Sequence, residues 1–245
     1  MKRILFAALL SITLTLNAQT EQSEYAFTPG DYFFASSSFS LPKNQARYSN
    51  TLIFFNDFQY GITSRFSAGA GIIPLFFFGG IASPMWVKTK YVFPMSDRFR
   101  MHAGLHLFFI AGADIEEVPY IFNGTLGFTI GTPANNLSLN LYFPFRFDEL
   151  IDYFQIHPFS LAGRTQITPR TFILGELHTS LLKEVPESPH YGFILAGAET
   201  MFKDINLDYG VVYPYFLLFT EEEHKFWMIP FIGIKLPFQM GGEHK

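Results

Sequence analysis

The fragment His178-Thr179-Ser180 combines a histidine base with a hydroxyl nucleophile, and Glu176 lies two residues before the histidine. In an extended chain alternate side chains share a face, so all three groups point the same way. A serine activated by histidine, with a carboxylate to orient the ring, is the arrangement of a hydrolase. Because so short a match arises often by chance, we expect no enzyme here and keep the three residues only as candidates.

The other polar clusters give weaker chemical signals. The chain has no Cys, which excludes disulfides, thiolate metal sites and a cysteine nucleophile. His102 and His106 are four apart, which in a strand is about 13 Å and too far for one metal ion. Paired acids in the predicted loops suit solvated loop charge or a divalent-cation site. These acids are Glu116, Glu117, Asp148, Glu149, Asp152, Glu184, Glu187, Glu221, Glu222 and Glu223. We expect no metal site and no cofactor.

Composition limits the class of protein. The chain has 245 residues, of which 49% are hydrophobic and 18% aromatic, and 31 are Phe. Only 16% are charged, against about 25% in an average soluble domain. The formal net charge is −4 and there is no basic stretch, so a disordered chain is excluded and a nucleic-acid partner is not expected.

The N-terminus has the pattern of an export signal. The basic start Met1-Lys2-Arg3 precedes an apolar run over 4–16 and the small residue Ala18. This pattern predicts a secretory signal peptide over 1–18, and the run is too short for a spanning helix. We divide the rest into a short lead (19–29), a barrel (30–238) and a C-terminal tail (239–245).

The mature chain alternates with a period of two. From Leu137 to Phe147 every odd residue is Leu or Phe, and the even residues are mostly polar. Two further segments, 120–130 and 205–215, repeat the pattern, which a strand with two unlike faces produces and a helix does not. We predict about twelve strands, near 30–41, 48–61, 65–76, 84–95, 98–111, 118–131, 136–147, 157–168, 171–182, 190–202, 205–219 and 226–238.

The predicted connections alternate in length. Five short turns fall near 63–65, 96–98, 133–135, 168–170 and 203–204. Six longer links fall near 42–47, 77–83, 112–117, 148–156, 183–189 and 220–225. Short periplasmic turns and longer extracellular loops on an even number of antiparallel strands are typical of an all-β, up-and-down transmembrane β-barrel.

Three observations favour a membrane barrel over a soluble periplasmic barrel that binds a ligand. The polar face carries too little charge for a soluble exterior, and the apolar face is rich in Phe and Tyr. The last strand ends with Ile232, Ile234, Leu236 and Phe238 at alternate positions. A helical membrane protein is disfavoured because the charge-free stretch 66–87 contains Pro74, Pro84 and four glycines.

The terminal alternation ending in Phe238 resembles the C-terminal signature of bacterial outer-membrane β-barrel proteins, and 30–238 is similar in organisation to envelope barrels of Bacteroidota. The resemblance implies the outer membrane of a Gram-negative bacterium, with outer-membrane lipids and the barrel assembly machinery as partners. His178 and Ser180 also resemble the His-x-Ser pair of outer-membrane phospholipases and lipid A deacylases. Leu181 stands where those enzymes commonly have Asn.

If lipid covers the apolar face, the polar face lines the lumen. We expect a passive pore for small polar or anionic solutes, or a filled barrel with a structural or assembly role in the envelope; the alternatives are a lipid hydrolase and a soluble binding protein. The predicted lumen residues are Asp57, Gln59, Lys88, Lys90, Arg100, His102, His106, Arg146, Arg164, Gln166, Glu176, His178, Asp208 and Lys235.

Overall fold

The computed structural model describes residues 32–74, 82–112, 120–145, 156–182, 192–214 and 228–240. Within these ranges twelve antiparallel strands close into a barrel, in which sequence neighbours pair and β1 pairs with β12. The predicted up-and-down barrel of about twelve strands is confirmed. The strands are β1 (Gln45–Thr51), β2 (Phe55–Gly61), β3 (Phe66–Ile72), β4 (Ala82–Pro94), β5 (Phe99–Gly112), β6 (Tyr120–Gly131), β7 (Asn136–Phe145), β8 (Ile156–Gln166), β9 (Thr171–Leu182), β10 (Gly192–Met201), β11 (Asn206–Pro214) and β12 (Ile229–Gln239).

The five predicted short turns all join neighbouring strands at one end of the barrel. Four of them are closed in the same way, by a Ser or Thr hydroxyl that accepts the backbone N–H three residues later. The acceptor and donor residues are Thr63 and Phe66, Ser96 and Phe99, Thr132 and Asn135, and Thr168 and Thr171. We call this the short-turn end and the opposite end the long-loop end.

Two strand predictions near the N-terminus are wrong. In the predicted strand 30–41, the described residues 32–41 form no strand and pass through the lumen. The predicted strand 48–61 is a hairpin, in which β1 and β2 are separated by Leu52, Ile53 and Phe54. The predicted link 42–47 is also wrong, because β1 begins at Gln45. The remaining long links fall largely outside the described residues.

The apolar face of the sheet points away from the lumen. On β7, Leu137 and Leu139 are 42% and 39% exposed, whereas Ser138 and Asn140 between them are fully buried. This is the alternation of a lipid-facing barrel wall and the reverse of a soluble ligand-binding barrel. No helix in the described ranges is long and apolar enough to cross a bilayer, and β3 and β4 occupy most of the charge-free stretch 66–87.

Candidate functional site

The lumen contains part of the chain itself. We call residues 32–41 the inner segment. At the short-turn end, the Ser40 hydroxyl donates to the carbonyl of Ser64, in the turn between β2 and β3. From there the segment rises along the barrel axis to a turn in which Tyr32 N–H donates to the carbonyl of Ala35. Most of its side chains are buried, so the segment packs against the wall along its length.

Glu176 on β9 fixes the upper part of the inner segment. Its carboxylate accepts the backbone N–H groups of Phe33, Phe34 (3.1 Å) and Ala35 (3.0 Å). His178 Nε2 lies 2.7 Å from Glu176 Oε2, and the imidazole ring stacks on Phe193 at 4.3 Å between centroids. Glu176 is buried, and a buried carboxylate is tolerated when it accepts several such hydrogen bonds.

The same part of the inner segment contacts an apolar cluster on the β8–β12 side. Phe33 meets Phe231 edge to face at 4.8 Å, and the Tyr32 hydroxyl hydrogen-bonds the side chains of Asn136 and Ser138 on β7. The cluster consists of Tyr32, Phe33, Ala35, Ala134, Ala162, Phe172, Leu174, Leu195, Met201 and Phe231. Among the described residues, most of the buried apolar side chains therefore lie inside the lumen, on one side.

A buried ion cluster lies beside the apolar cluster. Lys235 Nζ is 2.6 Å from Glu199 and 3.0 Å from Asp208, and Arg164 is 3.2 Å from the second oxygen of Glu199. The Arg164 guanidinium also lies 4.0 Å above the Phe172 ring. The buried Arg47 on β1 also interacts electrostatically with Glu199 and Lys235, so three cations and two anions lie together, and the two anions are paired, as charges in a dry interior must be.

The opposite side of the lumen, on β2–β6, is polar and positively charged. Lys88 pairs with Asp57 at 2.9 Å, and Asp57 also accepts Trp86 Nε1–H at 2.8 Å. Lys90 Nζ donates to the carbonyl of Ser37 at 3.2 Å, and His102 Nδ1 lies 3.0 Å from the Ser38 hydroxyl. We call this surface the cationic wall. It consists of Lys88, Lys90, Arg100, His102 and His106, with Asp57 as the acid among them.

Two cavities lie between the cationic wall and the inner segment. The middle cavity has about 10 Å³, the space of one water molecule, and touches Ser36, Lys88 and His106. The lower cavity, at the short-turn end, has about 250 Å³ and touches Phe39 and Arg100. Lys90 and His102 contact Ser37 and Ser38 between Ser36, which lines the middle cavity, and Phe39, which lines the lower one. We call these contacts the constriction.

The predicted lumen residues fall into three groups. The residues Asp57, Gln59, Lys88, Lys90, Arg100, His102 and His106 lie on the β2–β6 side; Arg164, Asp208 and Lys235 lie in the ion cluster; and Glu176 and His178 form one pair. Outside these groups, Gln166 is the last residue of β8, at the short-turn end. Arg146, the side chain of Ser180 and the loop acids lie outside the described residues. In the described part of the chain, no three His, Asp or Glu side chains come together as a metal site.

Sequence reasoning missed Glu199 and Arg47, both buried in the lumen. The predicted turn at 203–204 could have revealed Glu199, because a hairpin centred there places it opposite Asp208, as observed. Two neighbouring buried acids need a cationic partner. Arg47 was hidden because 42–47 was predicted to be a link.

Comparison with known proteins shows similarity in structure alone. No known protein family matches the sequence, and no curated protein matches it. The KdgM porin matches with a TM-score of 0.54 at 10% identity, over 80% of this chain and 98% of that chain. The KdgM porin in complex with disordered oligogalacturonate gives 0.53 at 10% identity over the same shares. The NanC porin gives 0.50 at 8% identity, over 80% of this chain and 99% of that chain.

Fold and lumen together define the class. The chain is a closed twelve-stranded antiparallel barrel with its apolar face outward. It has the fold of the outer-membrane porins, with a segment of its own chain inside the lumen.

Proposed function

We propose that this protein is an outer-membrane pore for small polar or anionic solutes, which pass along the cationic wall. The observation that carries the proposal is the pair of cavities beside Lys88, Lys90 and Arg100. Rings or rows of one sign of charge in a narrow lumen select ions of the opposite sign. In the described part of the chain the ion cluster and the apolar cluster fill the other side, which supports a solute path along the cationic wall.

Export and assembly belong to the same proposal. The signal peptide over 1–18 is removed after translocation, and the barrel assembly machinery inserts the chain into the outer membrane of a Gram-negative bacterium. The outward rows of apolar side chains contact lipid. Phe238 is 41% exposed near the end of β12. It continues the row of outward apolar side chains to the end of the strand, which supports the proposed insertion into a membrane.

The hydrolase alternative finds no support in the lumen. Glu176 and His178 face the inner segment, where Glu176 holds three backbone N–H groups and His178 stacks on Phe193. A lipid hydrolase needs its base at the lipid-facing surface, close to the acyl ester. The pair instead stabilises a folded part of the chain inside the barrel.

Ion selectivity in a planar lipid bilayer tests the proposed pore. Under a salt gradient we expect discrete current steps. The sign of their reversal potential should show that anions pass more readily than cations. The double variant Lys88→Gln/Lys90→Gln should move that potential towards zero, because it removes two of the charges that attract anions. Lys203→Gln, in an exposed short turn, is the matched control and should leave it unchanged. Silence at both polarities would refute the pore, and cation preference in the unaltered protein would refute the passage of anions along the cationic wall.

A further inference from the structure

The inner segment is held by two unlike sets of contacts. Its upper half, Tyr32–Ala35, is fixed by the three N–H bonds to Glu176, by the Tyr32 hydroxyl and by the apolar cluster. Burial of large apolar side chains such as Phe33 stabilises by about 1.5–3 kcal/mol each. This half is therefore firmly anchored.

The lower half, Ser36–Ser40, is held mainly by hydrogen bonds, apart from Phe39, which is buried with the Arg100 guanidinium 4.7 Å from its ring. Asn140 Nδ2 donates to the carbonyl of Ser36 at 2.9 Å, and Lys90 donates to that of Ser37. Ser38 donates its N–H to Thr129 Oγ1 at 2.7 Å and meets His102 through its hydroxyl. Four of its five side chains are serines, so this half buries little apolar surface apart from Phe39.

In the lower half, oxygen atoms of the segment satisfy cationic and polar groups of the wall. The Ser37 carbonyl is neutral and occupies one position on the Lys90 ammonium. The Ser38 hydroxyl occupies the corresponding position on His102. A carboxylate or phosphate oxygen adds a Coulomb attraction to the Lys90 ammonium that the neutral carbonyl oxygen of Ser37 does not supply.

We propose that Lys90 and His102 form a binding site for a small oxyanion, a carboxylate or phosphate group, and that Ser37 and Ser38 occupy this site until the anion displaces them. The inference rests on the proposed function, since it places the site at the constriction of that pore. The anion binds Lys90 and His102, and Ser36–Ser40 moves away from the wall while Tyr32–Ala35 stays anchored.

The surroundings of the site fit an anion. Lys88 and His106 line the middle cavity above it, and Arg100 lines the lower cavity below it. An anion that reaches the constriction therefore meets Lys88, which is paired with Asp57, on one side and Arg100 on the other. Gly127 faces the His102 ring so closely that a Cβ there would lie 2.0 Å from His102 Cε1. Because Gly127 has no side chain, the His102 imidazole fits between β6 and the proposed solute path.

Thiol labelling tests the displacement directly, because the chain has no Cys of its own. Ser37→Cys places a thiol where the side chain is 1% exposed and keeps the carbonyl that Lys90 binds. The probe is a water-soluble maleimide, applied to the full-length mature protein in lipid vesicles. Inorganic phosphate and acetate are tested separately, with glucose as the uncharged comparison.

We expect phosphate, acetate or both to accelerate labelling of Cys at position 37 by about fivefold or more, and glucose to have no effect. Which anion works identifies the preferred group. Lys90→Gln in the same background should abolish the acceleration. Ala35→Cys, fully buried in the anchored half, is the matched control and should stay unlabelled.

Three results would overturn the inference. The first is labelling at position 37 that neither anion accelerates, and the second is acceleration that persists in Lys90→Gln. The third is equal labelling at position 35, because the whole segment would then leave the lumen. If an anion accelerates labelling in a protein that carries no current, the binding site is supported and the pore is refuted. Failure of the binding site and failure of the pore can therefore be told apart.

Discussion

The ammonium group of Lys235 on β12 lies 2.6 Å from the carboxylate of Glu199 on β10, although β11 separates the two strands. Asp208, on β11 between them, completes the bridge at 3.0 Å. Three consecutive strands are thus joined on their lumen face by one buried cation. Such a bridge fixes the wall against which the inner segment packs.

Replacing that cation should destabilise the barrel strongly. Lys235→Met leaves Glu199 and Asp208 buried without their shared partner, which costs about 3–5 kcal/mol of unfolding free energy. Urea unfolding of the protein in lipid vesicles measures the loss. Lys203→Met, at an exposed turn, should be neutral. A loss of unfolding free energy below about 1 kcal/mol, which is typical of ion pairs on a protein surface, would show that the cluster is open to water.

Removing the charge of Glu176 should loosen the upper half of the inner segment. Glu176→Gln keeps one acceptor oxygen but loses the charge that strengthens the three N–H bonds, at a cost of about 1.5–3 kcal/mol. A thiol introduced by Ala35→Cys should then react with maleimide, whereas it stays protected beside the native glutamate. Asp97→Asn, in an exposed short turn, controls for the loss of a carboxylate. Continued protection in Glu176→Gln would show that apolar packing alone anchors this half.

The lipid-facing orientation predicts a difference between two arginine substitutions. Leu105 is 58% exposed near the middle of β5, and Ile130 is 61% exposed beside a short turn. An arginine costs about 2–4 kcal/mol at the bilayer midplane and about 0–1 kcal/mol near the interface. Leu105→Arg should therefore destabilise the protein in vesicles much more than Ile130→Arg. Equal losses of stability in the two variants would contradict the orientation, because both residues would then lie at the same depth in the bilayer or in water.

Most of the barrel could be predicted because lipid and lumen impose opposite chemistry on alternate residues. On β7, Leu137 and Leu139 point outward while Ser138 and Asn140 face the lumen, and the sequence alternates accordingly. The short turns carry Ser, Thr, Pro and Asp residues that are common in turns.

The N-terminal errors also have physical causes. Leu52 and Ile53 turn the chain between β1 and β2 with φ of 56° and 68°, a conformation that favours Gly or Asn. Nothing in those residue types predicts a turn. Tyr32 and Phe33 have the aromatic character of a strand, but they pack inside the lumen, where apolar side chains were not expected. The occupied lumen, and with it the constriction at Lys90, depends on contacts between residues distant in sequence.

Single-channel conductance of a chain that lacks residues 19–40 tests most directly whether the inner segment occupies the solute path. Because this deletion removes Ser37 and Ser38 from the constriction, we expect stable current steps several-fold larger than those of the full mature chain, with anion preference retained by Lys88 and Lys90. Folding of the shortened chain is checked by its shift in mobility on heating before electrophoresis. Current steps equal to those of the full chain, from a shortened barrel that has folded, would contradict the account.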